Sequence, residues 1–230
     1  MAADQINHED SLKYWQGINA DVEGMLGGFS CISKIDLRGS KRFLSKVHDR
    51  ARSGKKMNRV LDCGAGIGRI TQGLLLEIAD TVDIVEPIIK FTKVLEGIDG
   101  VGRIFNVGLE NWSPDTALRY DLIWNQWCLG HLTDVQLVSH LRRSANILTD
   151  NGLIIVKENL SSISDDVFDE VDSSITRQVP LILTDEKFRE LFGQANLQIK
   201  DTEIQSGFPK ELYSVRTYAL VPKALQGVCT

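Results

Sequence analysis

Leu61-Asp62-Cys63-Gly64-Ala65-Gly66-Ile67-Gly68-Arg69 is an apolar run that breaks into three alternating glycines and then a basic residue. A break of this kind closes a buried strand and opens a helix. Glycines let the backbone turn sharply and approach a ligand, and the helix N-terminus that follows favours negative charge. Taken alone, the same pattern also serves a tight strand-to-helix turn. Glu86 adds context: it stands at the end of the next apolar run, about twenty residues on, where a carboxylate accepts both hydroxyls of a ribose. A dinucleotide fingerprint needs its third glycine at the position held here by Arg69. S-adenosylmethionine has no pyrophosphate but carries an amino-acid carboxylate, which an arginine clamps through two charge-assisted hydrogen bonds. These residues favour S-adenosylmethionine over NAD.

Outward from the loop the pattern alternates. Strands are predicted at 59–62, 82–85, 103–107, 120–127 and 153–157. Helices are predicted at 68–79 and 136–148, the second stopped by Asp150-Asn151-Gly152, and Pro87 suits the first turn of a helix after the second strand. Alternation over about a hundred residues implies a parallel sheet wound on both faces. Upstream, helices are expected at 11–28, ending at Gly27-Gly28, and at 40–51, where Phe43, Leu44 and Val47 share helical spacing. Downstream, 159–178 is a polar, acidic, Ser-rich connection, followed by a helix at 184–195 and strands at 197–203 and 213–221.

With 230 residues, 43% hydrophobic and 25% charged, the chain has the make-up of an ordinary globular protein, and one large α/β domain is expected. No run approaches the ~18 apolar residues that span a bilayer, so no membrane role is expected. A net charge of −5 argues against a nucleic-acid binder that neutralises phosphates, and is compatible with a small molecule or a basic peptide. The segment Met1 to Asp10 is polar and acidic, so no secretory leader is expected. Cys31, Cys63, Cys128 and Cys229 form no C-x-x-C pair, and two of them lie in apolar runs as small core residues. Neither a metal site nor a disulfide framework is expected, and cytosol or nucleus is the expected compartment.

A second constellation runs off the fourth strand: Trp124-Asn125-Gln126-Trp127-Cys128-Leu129-Gly130-His131. Ligands of open α/β sheets bind outside the carboxyl ends of the strands, so Gln126, Trp127 and His131 are expected beside the cofactor. Asn159 ends the fifth strand and is expected to face the same crevice. Tryptophans are more often core residues, His131 could equally cap the next helix, and the acidic run from Asp165 to Asp172 could equally be a solvated loop.

In combination these residues, with Met25-Leu26-Gly27-Gly28 and Val171-Asp172-Ser173-Ser174, resemble the eukaryotic protein N-terminal α-N-methyltransferases. The likeness covers roughly 11–221. It implies a seven-stranded, Rossmann-like S-adenosylmethionine-dependent methyltransferase fold over 1–230. A helical extension (1–55), a cofactor-binding core (56–158), an acidic substrate loop with the C-terminal core (159–221) and a flexible tail (222–230) would divide it. A β-hairpin insertion over a peptide channel is also implied. The substrates would be proteins that begin X-Pro-Lys after removal of the initiator methionine, ribosomal proteins among them, methylated by a monomer. Gly64, Arg69, Glu86, Leu109, Glu110 and Gln126 are implied as cofactor contacts. Trp15, Leu26, Ile32, Trp127, Asn159, Asp169, Ser174 and Tyr213 are implied for the peptide channel, and His131 and Asp172 for proton handling. The family often has Asp where this chain has Glu86, and the acidic loop is one residue longer here. A small-molecule or nucleic-acid methyltransferase on the same fold is the rival reading. No Asn-Pro-Pro-Tyr-like segment follows the fourth strand to support it.

Overall fold

The computed structural model describes residues 6–161, 167–168 and 181–223. Its centre is a seven-stranded sheet in the order β3-β2-β1-β4-β5-β9-β8. Strands β1 (Met57–Cys63), β2 (Ala79–Val85), β3 (Val101–Phe105), β4 (Tyr120–Gln126) and β5 (Leu148–Leu160) run parallel. The last two, β8 (Leu197–Ile204) and β9 (Ser214–Pro222), join as an antiparallel pair against β5. Side chains alternate between two apolar layers. Val60, Leu122, Trp124, Leu153 and Ile155 meet one layer, and Leu61, Cys63, Ile123, Ile154 and Val156 meet the other. That alternation puts Asp62, Gln126 and Lys157 on the first face and Asn125 and Glu158 on the second.

The first face is covered by α3 (Ser33–Val47), which buries Asp36, Ser40, Phe43, Leu44 and Val47 at helical spacing. Before it lie α1 (His8–Gly17), α2 (Val22–Met25) and a 3-10 turn at Ser30–Ile32; after it comes α4 (Asp49–Ser53). The second face is covered by α7 (Asp134–Ala145), opened by a Thr133/Gln136 capping box, and α8 (Asp185–Gln194), capped by Thr184. No helix among the described residues is long and apolar enough to cross a membrane.

Several boundaries depart from the sequence reading. The helix expected at 11–28 is two helices, because Ile18 turns extended and Asp21 caps a new start. The helix expected at 40–51 begins at Ser33 and breaks at His48, where the backbone is again extended. Between β1 and β2 the helical stretch contains a π turn, Thr71–Leu75, then α5 (Leu76–Ile78), and Ala79 already belongs to β2. Pro87 precedes α6 (Ile89–Thr92) rather than sitting in its first turn. The third strand is shifted two residues earlier than expected, to Val101–Phe105. Asp150-Asn151-Gly152 does not end an element: β5 runs through it from Leu148, absorbing it as a register shift against β4. Strand β6 (Val167–Phe168) pairs antiparallel with β7 (Leu181–Ile182), a hairpin following β5 as the resemblance implied.

Candidate active site

Winding from β1 goes outward through β2 and β3, then returns to the other side with β4 and β5. The crevice at this switch, outside the carboxyl ends of β1 and β4, is where an open α/β sheet binds its ligand. A cleft lies there. Gly64, Arg69, Glu86, Leu109, Glu110 and Gln126 line it on the cofactor side, together with Trp127 and His131 from the end of β4. Helix α1 closes it with His8, Ser11, Leu12 and Trp15.

The glycine loop is tight. Gly64 has φ +65, and a Cβ there would stand 2.4 Å from the Cys128 Cβ, so the turn admits only glycine. Glu86 is buried, and each of its oxygens accepts one backbone N–H at 2.9 Å, Oε2 from Gly66 and Oε1 from Ile88. Burial pushes its carboxyl up, against the pull of those two bonds. A carboxylate oxygen has a second lone pair, so Glu86 keeps acceptor capacity for a pair of hydroxyls. Asp62, also in the cleft wall, is raised to about 7 by burial although it accepts the Thr71 hydroxyl.

Arg69 does not stand alone as a surface charge. Its Nη1 lies 2.7 Å from Asp36 Oδ2, and its guanidinium sits over the Trp127 ring, 5.3 Å from the centroid. Lys157 Nζ reaches the other Asp36 oxygen at 2.5 Å and also donates to Ser40 and Gln205. Gln126 Nε2 donates to both Asp36 oxygens, at 3.1 and 3.0 Å, while its Oε1 accepts the Trp124 indole N–H at 3.1 Å. Burial raises the Asp36 carboxyl, but Lys157 and Arg69 outweigh it and hold the group below its usual range.

Trp127 lies outside β4, contrary to the expected strand end, and takes a left-handed backbone with φ +53. Glu158 secures that turn from the opposite face of β5. Its Oε1 accepts the N–H groups of Cys128 at 2.9 Å and Leu129 at 3.0 Å. The 3-10 turn that follows, Leu129–His131, delivers His131 to the cleft. The Trp15 indole N–H can only donate, and it points to His131 Nε2 at 3.3 Å. Nδ1 therefore carries the proton and donates to Ser11 Oγ at 2.8 Å. Burial pushes this imidazole down to about 4, so it is neutral at physiological pH.

The implied peptide-channel residues divide. Trp15 and Trp127 line the cleft. Leu26 and Ile32 are buried just before α3, and Asn159, half-buried opposite Val215 in β9, is not among the residues lining the cleft. Tyr213 immediately precedes β9. Asp169, Asp172 and Ser174, with most of the acidic run, lie outside the described residues. Asp36, Lys157 and Glu158 escaped the sequence reading. Their signal was present as an acid on the apolar stripe of α3 and a charged pair inside an apolar strand.

The cleft suits S-adenosylmethionine on its own geometry: a glycine turn against the ligand space, a ribose-type carboxylate and an arginine in place of a pyrophosphate glycine. Trp127 Nε1 is in addition a buried donor with no partner among the described residues. The family model described as AdoMet dependent proline di-methyltransferase matches residues 3–221. The chain belongs to this family. The alpha N-terminal protein methyltransferase 1 of Schizosaccharomyces pombe is 44% identical over 220 residues, covering 94% of this chain and 96% of that protein. The N-terminal Xaa-Pro-Lys N-methyltransferase 1 of Xenopus tropicalis is also 44% identical, over 90% of this chain and 92% of its own. A solved SAM-dependent methyltransferase from Leishmania major superposes with a TM-score of 0.81 at 31% identity, covering 93% of this chain and 82% of that one. This chain is therefore a S-adenosylmethionine-dependent methyltransferase.

Proposed function

We propose that the chain methylates the α-amino group of proteins that begin X-Pro-Lys. The names of the two relatives above support the reading. In this chain one observation carries it: the imidazole of His131, held by Ser11 and Trp15 in the cleft that Trp127 also lines.

When bound, the cofactor supplies an electrophilic methyl group. A free α-amino group titrates near 7.7 to 8.0, so most of it is protonated at neutral pH and has no lone pair to offer. The residues of this chain must therefore take a proton and aim the amine. With its pKa pushed down to about 4, His131 is a poor store for that proton. Its part is to accept an amine N–H at Nε2, in place of the Trp15 indole, and so to turn the lone pair inward. Asp172 is the carboxylate proposed to carry the proton away. Trp127 offers a flat face to the proline ring, and Arg69 beneath it keeps that face fixed. Leu26, Ile32, Asn159, Ser174 and Tyr213 complete the channel, and Asp169 pairs with the substrate lysine. The same reading has the enzyme act as a monomer in cytosol or nucleus, with ribosomal proteins among its substrates.

Mass spectrometry of an Ala-Pro-Lys peptide incubated with enzyme and S-adenosylmethionine tests this. Methyl groups should be gained at the N-terminus, and the α-acetylated peptide should gain none. Methylation of the acetylated peptide, on its lysine for example, would refute the assignment.

A further inference from the structure

The charges around Asp36 do not cancel. One carboxylate faces two cations, Arg69 and Lys157, and none of the three side chains is more than 8% exposed. Within this triad one positive charge is left over, in a place from which water is largely excluded; outside it Asp62 also acts on Arg69, and Glu203 on Lys157. Of its two cations, Arg69 lines the cleft, whereas Lys157 is turned to Ser40 and Gln205. Arg69 is therefore the cation of the triad presented to the ligand space, beside Asp62 and Glu86, where an arriving carboxylate would meet it.

Asp36 also fixes which atoms meet that ligand. Because the Gln126 amide donates to Asp36 and accepts from Trp124, reversing it would set its oxygen against a carboxylate and its amine against an indole N–H. Register explains the convergence: Gln126 and Lys157 are direct partners on β4 and β5, and both point to the face that α3 covers. Buried ion networks are weak devices for stability, since apolar residues of similar volume often hold a helix as well or better. Phe43, Leu44 and Val47 already supply that apolar contact further along α3. Asp36 lies one turn beyond Ile32, at the point where the N-terminal helices enter the core.

We infer that Asp36 is a positioning residue for the cofactor's amino-acid end, holding Arg69 and Gln126 in the orientation that receives its carboxylate. The inference rests on the reading of Arg69 as the contact to that carboxylate. It also ties that end of the cleft to the segment carrying Leu26 and Ile32.

Two ligands separate this role from a structural one. S-adenosylhomocysteine has the amino-acid end; 5′-methylthioadenosine has the same nucleoside and a neutral sulfur without it. Calorimetric titration of Asp36→Asn should show at least a tenfold loss of affinity for the first and less than a twofold change for the second. Asp36→Asn leaves two buried cations without a counter-ion, so a second variant guards against misfolding. Asp36→Asn combined with Lys157→Met removes one charge of each sign and keeps the native excess, and it should show the same selective loss with a cooperative melt. Equal losses for both ligands, or no loss for either, in a folded variant overturn the inference. Arg69→Ala measured alongside identifies the level of failure. If it discriminates between the ligands and the Asp36 variants do not, only the positioning role falls. If it fails to discriminate, the Arg69 reading falls and the inference with it.

Discussion

Glu158→Gln should change how the stability of this protein depends on pH. Burial raises the Glu158 carboxyl from its ordinary 4.5 to about 7, against hydrogen bonds from the N–H groups of Leu129 and Cys128. In the unfolded chain the group loses its proton near 4.5, while the folded protein holds it until about 7. Between those values the native state binds more protons, so stability falls as pH rises. The contribution is fully present below 4.5 and is lost once pH has passed about 7. At 1.36 kcal/mol for each pH unit, that interval amounts to about 3 kcal/mol. A glutamine in the same place keeps an oxygen for the Cys128 and Leu129 N–H groups but does not titrate. The Trp127 N–H already donates to the Lys157 carbonyl at 3.1 Å, so the glutamine leaves none of these three amides unpaired. The variant should therefore match the parent in acid and gain about 3 kcal/mol relative to it by about pH 8. Asp62, raised to about 7, and the depressed histidines titrate in both proteins and cancel in the difference. Urea unfolding of both proteins from about pH 4.5 to about pH 8 measures it. A difference that stays constant over this range would show that Glu158 is ionised in the fold and refute the reasoning.

The acid side has its own test in His140, whose Nε2 donates to Asn125 Oδ1 and which burial pushes down to about 3. Its contribution is present above the unfolded value of 6.5 and is lost as pH falls. His140→Gln, which keeps a donor for Asn125, should thus spare about 3 kcal/mol of the parent's loss between about pH 6.5 and about pH 4, read by urea melts. Gly64→Ala should lower stability by at least ~2 kcal/mol and abolish S-adenosylmethionine binding, since φ +65 and the 2.4 Å approach to Cys128 Cβ both oppose a side chain. An unchanged melt and titration would refute it. Replacing Ala-Pro-Lys by Ala-Ala-Lys adds an N–H to the substrate and removes ring packing on Trp127. An unpaired buried donor costs about 1 to 3 kcal/mol, so kcat/KM should fall at least about tenfold, and equal values would refute the Trp127 assignment.

Much of the architecture was legible because it rests on local signals. The alternation of apolar runs with glycine and polar breaks marked all five parallel strands, and the loop from Gly64 to Arg69 marked the switch point that holds the cleft. Boundaries failed where distant partners override local preference. Asn151-Gly152 is a turn signal, yet β4 pairs with β5 on both sides of it, at Leu148 and again from Leu153, and takes it up as a register shift. Ser33-Lys34-Ile35-Asp36 is too polar to look like the start of a core helix. It becomes one because Arg69, Lys157 and Gln126, far away in sequence, meet Asp36 inside the fold.

That last case has a lesson within reach of the sequence itself. In a sheet covered on both faces, a polar side chain inside an apolar strand must find a partner or a ligand, since burying it unpaired costs several kcal/mol. Asp62, Gln126, Lys157 and Glu158 all lie at the carboxyl ends of β1, β4 and β5, where ligands bind. The period of two then sorts them. Asp62, Gln126 and Lys157 fall on one face, so a helix packed there must supply a complementary group, and Asp36 is the acid on the apolar stripe of α3. Glu158 falls on the other face and meets the backbone amides after Trp127. Strand parity, applied to polar rather than apolar residues, therefore predicts the face on which each partner group must be found: the acid of α3 on one, the backbone amides after β4 on the other.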